Sequence, residues 1–318
     1  GVGVSSGTDA LLISLMALKI GTGDEVIVPS YTFFSTAGSV SRVGAKPVFC
    51  DIDPVTYNIN TKKLQDLISL RTRAIIPVHL FGQCAAMDEI VAISEKHGLY
   101  VIEDAAQAIG AKYRDKMAGS IGTTGCLSFF PSKNLGGIGD GGLVMTNDDN
   151  MYDLLISLRQ HGATQRYFHN RIGGNFRLDA IQAAALRVKL RYLDGWTHLR
   201  RENASYYMDA FKDLENRGLI KLPVEVPDNS HVYNQFVIRT TQRDALQRHL
   251  SDNGVGTAIY YPLPLHLQEC FSGSGLKKGD LPESERASEE TLALPIFPGL
   301  TQQQKDLVVR VVHRFYES

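Results

Sequence analysis

The chain has 318 residues, 43% of them hydrophobic and 21% charged, with a formal net charge of -1. That length can bury a sizeable core and accommodates one large domain plus a smaller one. The near-neutral charge leaves no electrostatic footprint for nucleic acid. No run reads as a membrane span either, because the most suggestive long uncharged stretch, Val26 to Ser41, is broken by Pro29, several hydroxyls and Gly38.

The opening residues enter almost directly into a strand-turn-helix pattern without a methionine, so we expect a preceding N-terminal segment that is missing here. Asp9 to Ile20 spaces Ala10, Leu11, Ile13, Leu15 and Leu18 as a helix does. Strands are predicted at 26–28, 47–49, 74–78, 100–102, 127–130 and 143–146. A helix over 88–97 ends at Gly98, a normal C-cap residue. Strands alternating with helices predict an α/β fold, with a mostly parallel central sheet covered on both faces. Asp179 to Leu193 reads as a long Ala- and Leu-rich helix that resumes after Gly195 as a charged amphipathic run. Beyond about Leu219 the pattern changes. Strands at 237–238 and 258–260 with helices at 242–253 and 301–316 predict a small α+β domain. We therefore expect a large domain over 1–195, then an interdomain helix and small C-terminal domain over 196–318.

Four cysteines, Cys50, Cys84, Cys126 and Cys270, are widely spaced without a CxxC pair. This favours reduced thiols in a cytoplasmic protein and no metal site. Asn203-Ala204-Ser205 matches a glycosylation sequon but falls in a helical stretch.

Three local patterns carry chemistry. Asp104 closes the apolar run 99–102, at the carboxyl end of a buried strand where open α/β sheets bind ligands. It reads equally well as a helix N-cap. Lys133 stands in a loop between an apolar strand and a glycine-rich segment, where a desolvated amine can form an imine with an aldehyde. The glycines 137–142 formally satisfy GxGxxG, but a strand follows them, and a dinucleotide fingerprint should open a helix. Ser5-Ser6-Gly7-Thr8-Asp9 runs straight into a helix and supplies either a phosphate cradle or a plain N-cap. A phosphate cradle, a strand-end Asp and a loop Lys, in that order within one α/β domain, are what pyridoxal 5'-phosphate needs.

Read in order, SGTDAL, VPSYTFFST, VHLFGQ, VIEDAAQAIGA, FFPSKNLGG, GDGG, GGNFRLDAIQAA and YYPLPLHLQ resemble the DegT/DnrJ/EryC1/StrS-like nucleotide-sugar aminotransferases. These are fold-type I pyridoxal-phosphate enzymes, and the resemblance covers essentially the whole chain. It implies that Lys133 carries the cofactor as an imine and that Asp104 pairs with the pyridinium nitrogen. Gln107 would contact the ring or its O3′, and Phe33 would stack on the ring unless it is plain core. Gly7, Thr8, the Asp9 backbone and Ser128 would bind the phosphate, and Asn175 would reach it from the neighbouring subunit of a homodimer with shared active sites. Tyr260 and Tyr261 align with a His-Tyr-Pro motif near the sugar, with Tyr260 replacing the histidine and leaving that residue's role open. Arg177, like Arg159, either binds an acidic group or pairs structurally; His79 and His161 also lie in family-like motifs.

The implied reaction moves an amino group, from glutamate, to a keto group of a nucleotide-linked sugar. GGNFRLDAIQAA together with Gln107 favours a 3-keto-sugar, in lipopolysaccharide, other surface-glycan or glycoside biosynthesis. The nucleotide, the sugar and the pathway are not legible. Sugar deoxygenation on this fold replaces the lysine by histidine, against Lys133. A non-catalytic sensor that keeps the fold is the other alternative. The complete set Lys133, Asp104, Gln107 and Ser128 argues for chemistry, and a cysteine desulfurase fits the C-terminal motifs less well.

Overall fold

The structure, a computed structural model, describes residues 1–317. β1 (Val2–Val4) leads into α1 (Gly7–Ala17), followed by β2 (Glu25–Pro29), α2 (Ser35–Arg42), β3 (Lys46–Cys50), α3 (Thr61–Leu67), β4 (Thr72–Ile75), α4 (Met87–His97) and β5 (Tyr100–Asp104). A hairpin of β6 (Lys112–Tyr113) and β7 (Lys116–Met117) precedes β8 (Thr124–Ser128), β9 (Gly142–Met145) and α5 (Asp149–Arg159). Seven strands make one sheet in the order β1-β9-β8-β5-β4-β2-β3. Pairing is parallel from β3 through β8, and β9 runs antiparallel to both its neighbours.

Both faces of the sheet are covered. On one side α1, α2 and α5 bury Leu11, Ile13, Leu15, Val40 and Leu155 against Val26, Val28, Ile76 and Ile102. On the other, α3 and α4 bury Leu64, Met87 and Ile90 against Ile27, Ile75 and Val101. Neighbouring strand residues therefore point to opposite helical layers, and the strands read as continuous apolar runs. α1 is buried on nearly all faces rather than along one stripe. α4 starts with Asp88 and Glu89, ends with Lys96 and His97, and closes on Gly98 at φ 64°. Those charges complement the helix dipole, and the left-handed turn suits glycine.

The later chain carries the hairpin β10 (Ala163–Gln165) and β11 (Phe168–His169), then α6 (Ala180–Leu190), α7 (Leu193–Ala210) and α8 (Lys212–Asn216). β12 (Asn229–Ser230) pairs with β6, linking the C-terminal part to the sheet region. β13 (Phe236–Arg239), α9 (Arg243–Asp252), α10 (Pro282–Glu290), β14 (Thr291–Leu294) and α11 (Gln302–Glu317) follow, with β13 and β14 antiparallel. A separate hydrophobic cluster, including Tyr207, Phe211, Phe236, Leu246, Leu292 and Val312, fills this part.

Three expectations need correction. The break in the long helix lies at Arg191–Tyr192, where the Tyr192 amide donates to the Lys189 carbonyl in a tightened last turn; Gly195 sits inside α7. The boundary expected after residue 195 therefore cuts through a helix. β8 begins at Thr124, three residues before the predicted start, and ends at Ser128, with one further ladder bond from the Phe129 amide to the Gly141 carbonyl. The stretch 258–260 is not a strand. Ala258 alone bridges to Ala293, and the next peptide groups are held by the Tyr31 hydroxyl.

The segment after Tyr261 returns to the first layer. The Leu265 amide donates to the Ser30 carbonyl at 2.7 Å, and Leu265 and Phe271 are buried in the α1–α2–α5 core. The four cysteines are free, Cys50, Cys84 and Cys126 buried and Cys270 exposed. Asn203 is buried and donates to the Phe297 carbonyl, so the sequon is a packed helix position.

Candidate active site

A cavity of about 440 Å³ opens where α1, β5, β8 and the loops after β2 and β8 meet the segment at Tyr260–Tyr261. It gathers Gly7, Thr8, Phe33, Asp104, Gln107, Ser128, Lys133, Tyr260 and Tyr261. This is the carboxyl edge of the parallel strands, where ligands enter such sheets. A larger, more open groove of about 680 Å³ lies beside α1, α2 and α5. Its charged lining is only basic, Lys19, Arg42 and Arg171, so the smaller cavity is the one equipped for acid–base chemistry.

Asp104 ends β5 with its carboxylate buried. Its oxygens accept from the Thr36 hydroxyl at 2.8 Å and the Ala106 amide at 3.2 Å. Burial raises its pKa, and these two bonds and the Lys133 charge oppose the rise. Lys133 follows β8 in a turn closed by its own amide to the Phe130 carbonyl at 2.9 Å. Burial lowers the Lys133 ammonium below the usual lysine range, with Asp104 pulling the other way. α6 pins this loop, since Gln182 accepts from the Ile138 amide and Lys189 donates to the Gly136 carbonyl.

At the other end of the cavity, Ser6 caps α1 through the Asp9 amide at 3.0 Å. The Asp9 carboxylate accepts from the Ser5 and Ser6 hydroxyls. Asp9 is thus engaged in the cap, and Gly7 and Thr8 of the first turn, with Ser128, line this end of the cavity. Gly7 is required by close approach: a Cβ there would stand 2.7 Å from Ser128 Cβ.

Phe33 is 54% exposed at the cavity wall, its ring 6.1 Å from that of Tyr261. Gln107 accepts from the Phe81 amide at 2.7 Å and donates to the Tyr261 hydroxyl at 3.1 Å. Asn175 and Arg177 do not line this chain's own cavity. They sit on a segment beside β1, where Arg177 bridges to Val4 and Asn175 to Gln160. Arg159 donates to the Gly3 carbonyl and is structural. The exposed His169 ring bonds the His161 carbonyl.

His79 is fully buried and does not face the cavity. Its Nε2 donates to Glu103 at 2.8 Å, because its Nδ1 accepts from the Ala85 amide. The Glu103 carboxylate also accepts from the amides of Gly119, Ile121 and Gly122. His79 and these amides hold its pKa low despite burial. Because side chains alternate along a strand, Glu103 anchors the far face of β5 while Asp104 meets the cavity. Sequence reasoning missed Thr36 and this Glu103 hub. Only the hydroxyl run of VPSYTFFST hinted at the first.

The sequence profile of the DegT/DnrJ/EryC1/StrS aminotransferase family matches residues 1–313. A Geobacillus stearothermophilus protein named a pleiotropic regulatory protein is 50% identical over 316 residues, 99% of this chain and 85% of that one. The UDP-N-acetyl-3-dehydro-alpha-D-glucosamine 3-aminotransferase of Acidithiobacillus ferrooxidans is 45% identical over 314 residues, covering 99% of this chain and 84% of its own. The solved structure of S. venezuelae DesV with a ketimine intermediate has a TM-score of 0.95 and 41% identity, over 100% of this chain and 85% of DesV. With a mostly parallel sheet flanked by helices, as in fold-type I enzymes, and this match over nearly its whole length, the chain belongs to the DegT/DnrJ/EryC1/StrS aminotransferase family.

Proposed function

We propose that this enzyme is a pyridoxal-phosphate-dependent aminotransferase that moves an amino group from glutamate to a keto group, at C3, of a nucleotide-linked sugar. One observation carries the reading: a lysine whose charge is disfavoured by burial shares a cavity with a buried carboxyl bonded only to a hydroxyl and a backbone amide. Among the described residues this carboxyl has no ion-pair partner in contact, Lys133 acting on it only from farther off, and a protonated ring nitrogen would be one. The phosphate end fits as well, with hydroxyls and first-turn amides at the N-terminus of an eleven-residue helix.

When bound, the cofactor supplies an aldehyde carbon that takes up the donor's amine and a ring that withdraws electrons. Lys133 Nζ would hold that carbon at rest and, once displaced, take the proton from the donor's α-carbon. Asp104 would keep the ring nitrogen protonated, Phe33 would cover the ring, and Gln107 would face its O3′. Thr8 and Ser128 would bind the phosphate, joined by the partner subunit's Asn175. Asn175 and Arg177 lie outside this chain's own cavity, which supports a homodimer with shared sites. Tyr260 and Tyr261 would face the sugar. The 3-amino reaction in the name of the A. ferrooxidans relative supports the choice of ring carbon. A cytoplasmic role in surface-polysaccharide or glycoside biosynthesis follows from such a product.

The regulatory name of the G. stearothermophilus relative favours a second reading, a sensor that binds the cofactor without turnover. A sensor has no use for a proton-moving lysine beside a buried acid.

Absorption spectra of the protein loaded with pyridoxal 5'-phosphate test both. We expect a visible band in the wild type that glutamate bleaches, and a Lys133→Ala variant that does not respond, its turnover reduced by at least about 10³-fold. A wild type that holds the band but ignores every amino donor supports the sensor; one without a band sinks both.

A further inference from the structure

Tyr31 lies in the loop after β2 and is completely buried. It is not among the residues that line the cavity, yet its hydroxyl joins three parts of the chain. It donates to the Tyr260 carbonyl and accepts from the Tyr261 amide at 3.0 Å. The Thr291 hydroxyl stands 2.7 Å away, at the start of β14, and completes the set as a second donor. A phenol has one proton to give and two lone pairs, so this oxygen is fully used. Burial pushes its pKa up, so it stays a neutral donor across the working pH range.

The segment held in this way forms one wall of the site. The Tyr261 hydroxyl accepts from Gln107, whose carbonyl oxygen accepts from the Phe81 amide. Phe81 holds φ 60°, a conformation that bulky residues rarely adopt, and is itself buried. Hydrogen bonds thus tie Thr291 and Tyr31 to the Tyr261 backbone, and the Tyr261 side chain carries the link on through Gln107 to Phe81. Tyr261 also feels the Asp104 charge, which adds to burial in raising its pKa.

We propose that Tyr31 is a positioning residue for the active site: through the Tyr260–Tyr261 backbone it sets the place of the Tyr261 hydroxyl against the cofactor cavity. The proposal rests on the reading that this cavity holds pyridoxal 5'-phosphate. Removing the Tyr31 hydroxyl leaves the Tyr261 amide and the Tyr260 carbonyl without their partner. The segment then relaxes, and the Tyr261 hydroxyl moves relative to the cofactor.

The test is a pH titration of the visible absorbance of cofactor-loaded protein, for the wild type, Tyr31→Phe, Tyr261→Phe and the double variant. Tyr31→Phe is expected to move the midpoint in the same direction as Tyr261→Phe, by about half a pH unit or more. The double variant is expected to titrate like Tyr261→Phe alone, because Tyr31 acts through that residue. If Tyr31→Phe does not fold, Thr291→Val removes one partner of the same hydroxyl, and a smaller shift of the same sign is expected. A Tyr31→Phe or Thr291→Val protein that titrates as wild type does, or shifts that add in the double variant, overturns the proposal while leaving the cofactor reading intact. A wild type with no visible band overturns that reading and the proposal together.

Discussion

Burial holds Asp104 at a cost in stability. Its folded pKa lies above its ordinary value of 3.8 because burial disfavours the charge. The folded chain therefore binds the proton more tightly than the unfolded one, and stability falls as pH rises from the unfolded value to the folded value, staying lower above it. Asp104→Asn removes that deficit. At neutral pH the cofactor-free variant should melt higher than wild type by about 2 °C or more, with the gap closing toward acid, in calorimetric scans at several pH values. On the proposed role of Asp104 as partner of the ring nitrogen, the same change should lower the rate with an amino donor by roughly 10³-fold. That Lys133 and Asp104 belong to one cavity was legible because each sits at a strand end beside small residues, a local pattern. Thr36 was not, because it meets Asp104 from 68 positions away, and nothing local marks a hydroxyl that will face a distant carboxylate. The Glu103–His79 pair was missed for the opposite reason. They lie in the chemistry-bearing motifs, but strand alternation turns Glu103 to the back of the sheet, with His79 bonded to it there.

At the scale of elements, the site depends on how closely α1 approaches β8. Gly7 allows that contact, and Gly142 allows a second, since a Cβ there would stand 2.4 Å from the Ser6 carbonyl oxygen. Gly7→Ala should push the helix N-terminus off Ser128 and weaken cofactor binding by roughly tenfold, measured by equilibrium titration of the visible band. Gly218→Ala makes a useful comparison: nothing lies within 4 Å of its position, though its φ of +71° strains the chain locally. Elements with strong end signals were read well from sequence, as α4 with its charged ends and Gly98 illustrates. Short or ambiguous ones were not. α10 and β14 carry no clear period, and the break between α6 and α7 lies at residues without Gly or Pro, set by Leu193 turning into the cluster around Leu127 and Leu186. The stretch 258–260 has strand composition, yet after the single bridge from Ala258 to Ala293 its last peptide answers to a tyrosine hydroxyl rather than to a neighbouring strand.

For the whole molecule, a shared site makes a quantitative statement. If Asn175 serves the partner subunit's cavity, Lys133→Ala and Asn175→Ala damage different subunits of each site. Mixing the two variants under exchange should restore about a quarter of wild-type activity, since half the dimers are mixed and each has one intact site. No recovery in a mixture shown to exchange would place Asn175 outside the site. The return of residues 262–281 to the first layer ties the two ends of the chain in another way. Phe271 packs its ring 5.2 Å from Phe49 and 5.6 Å from Phe34, and Leu265 fills the same core. During synthesis, the strands and helices of the sheet layer precede this segment and leave the apolar slot open. The slot closes only after residues 262–281 have followed, so the nascent large domain must wait for a plug made well after its own strands and helices.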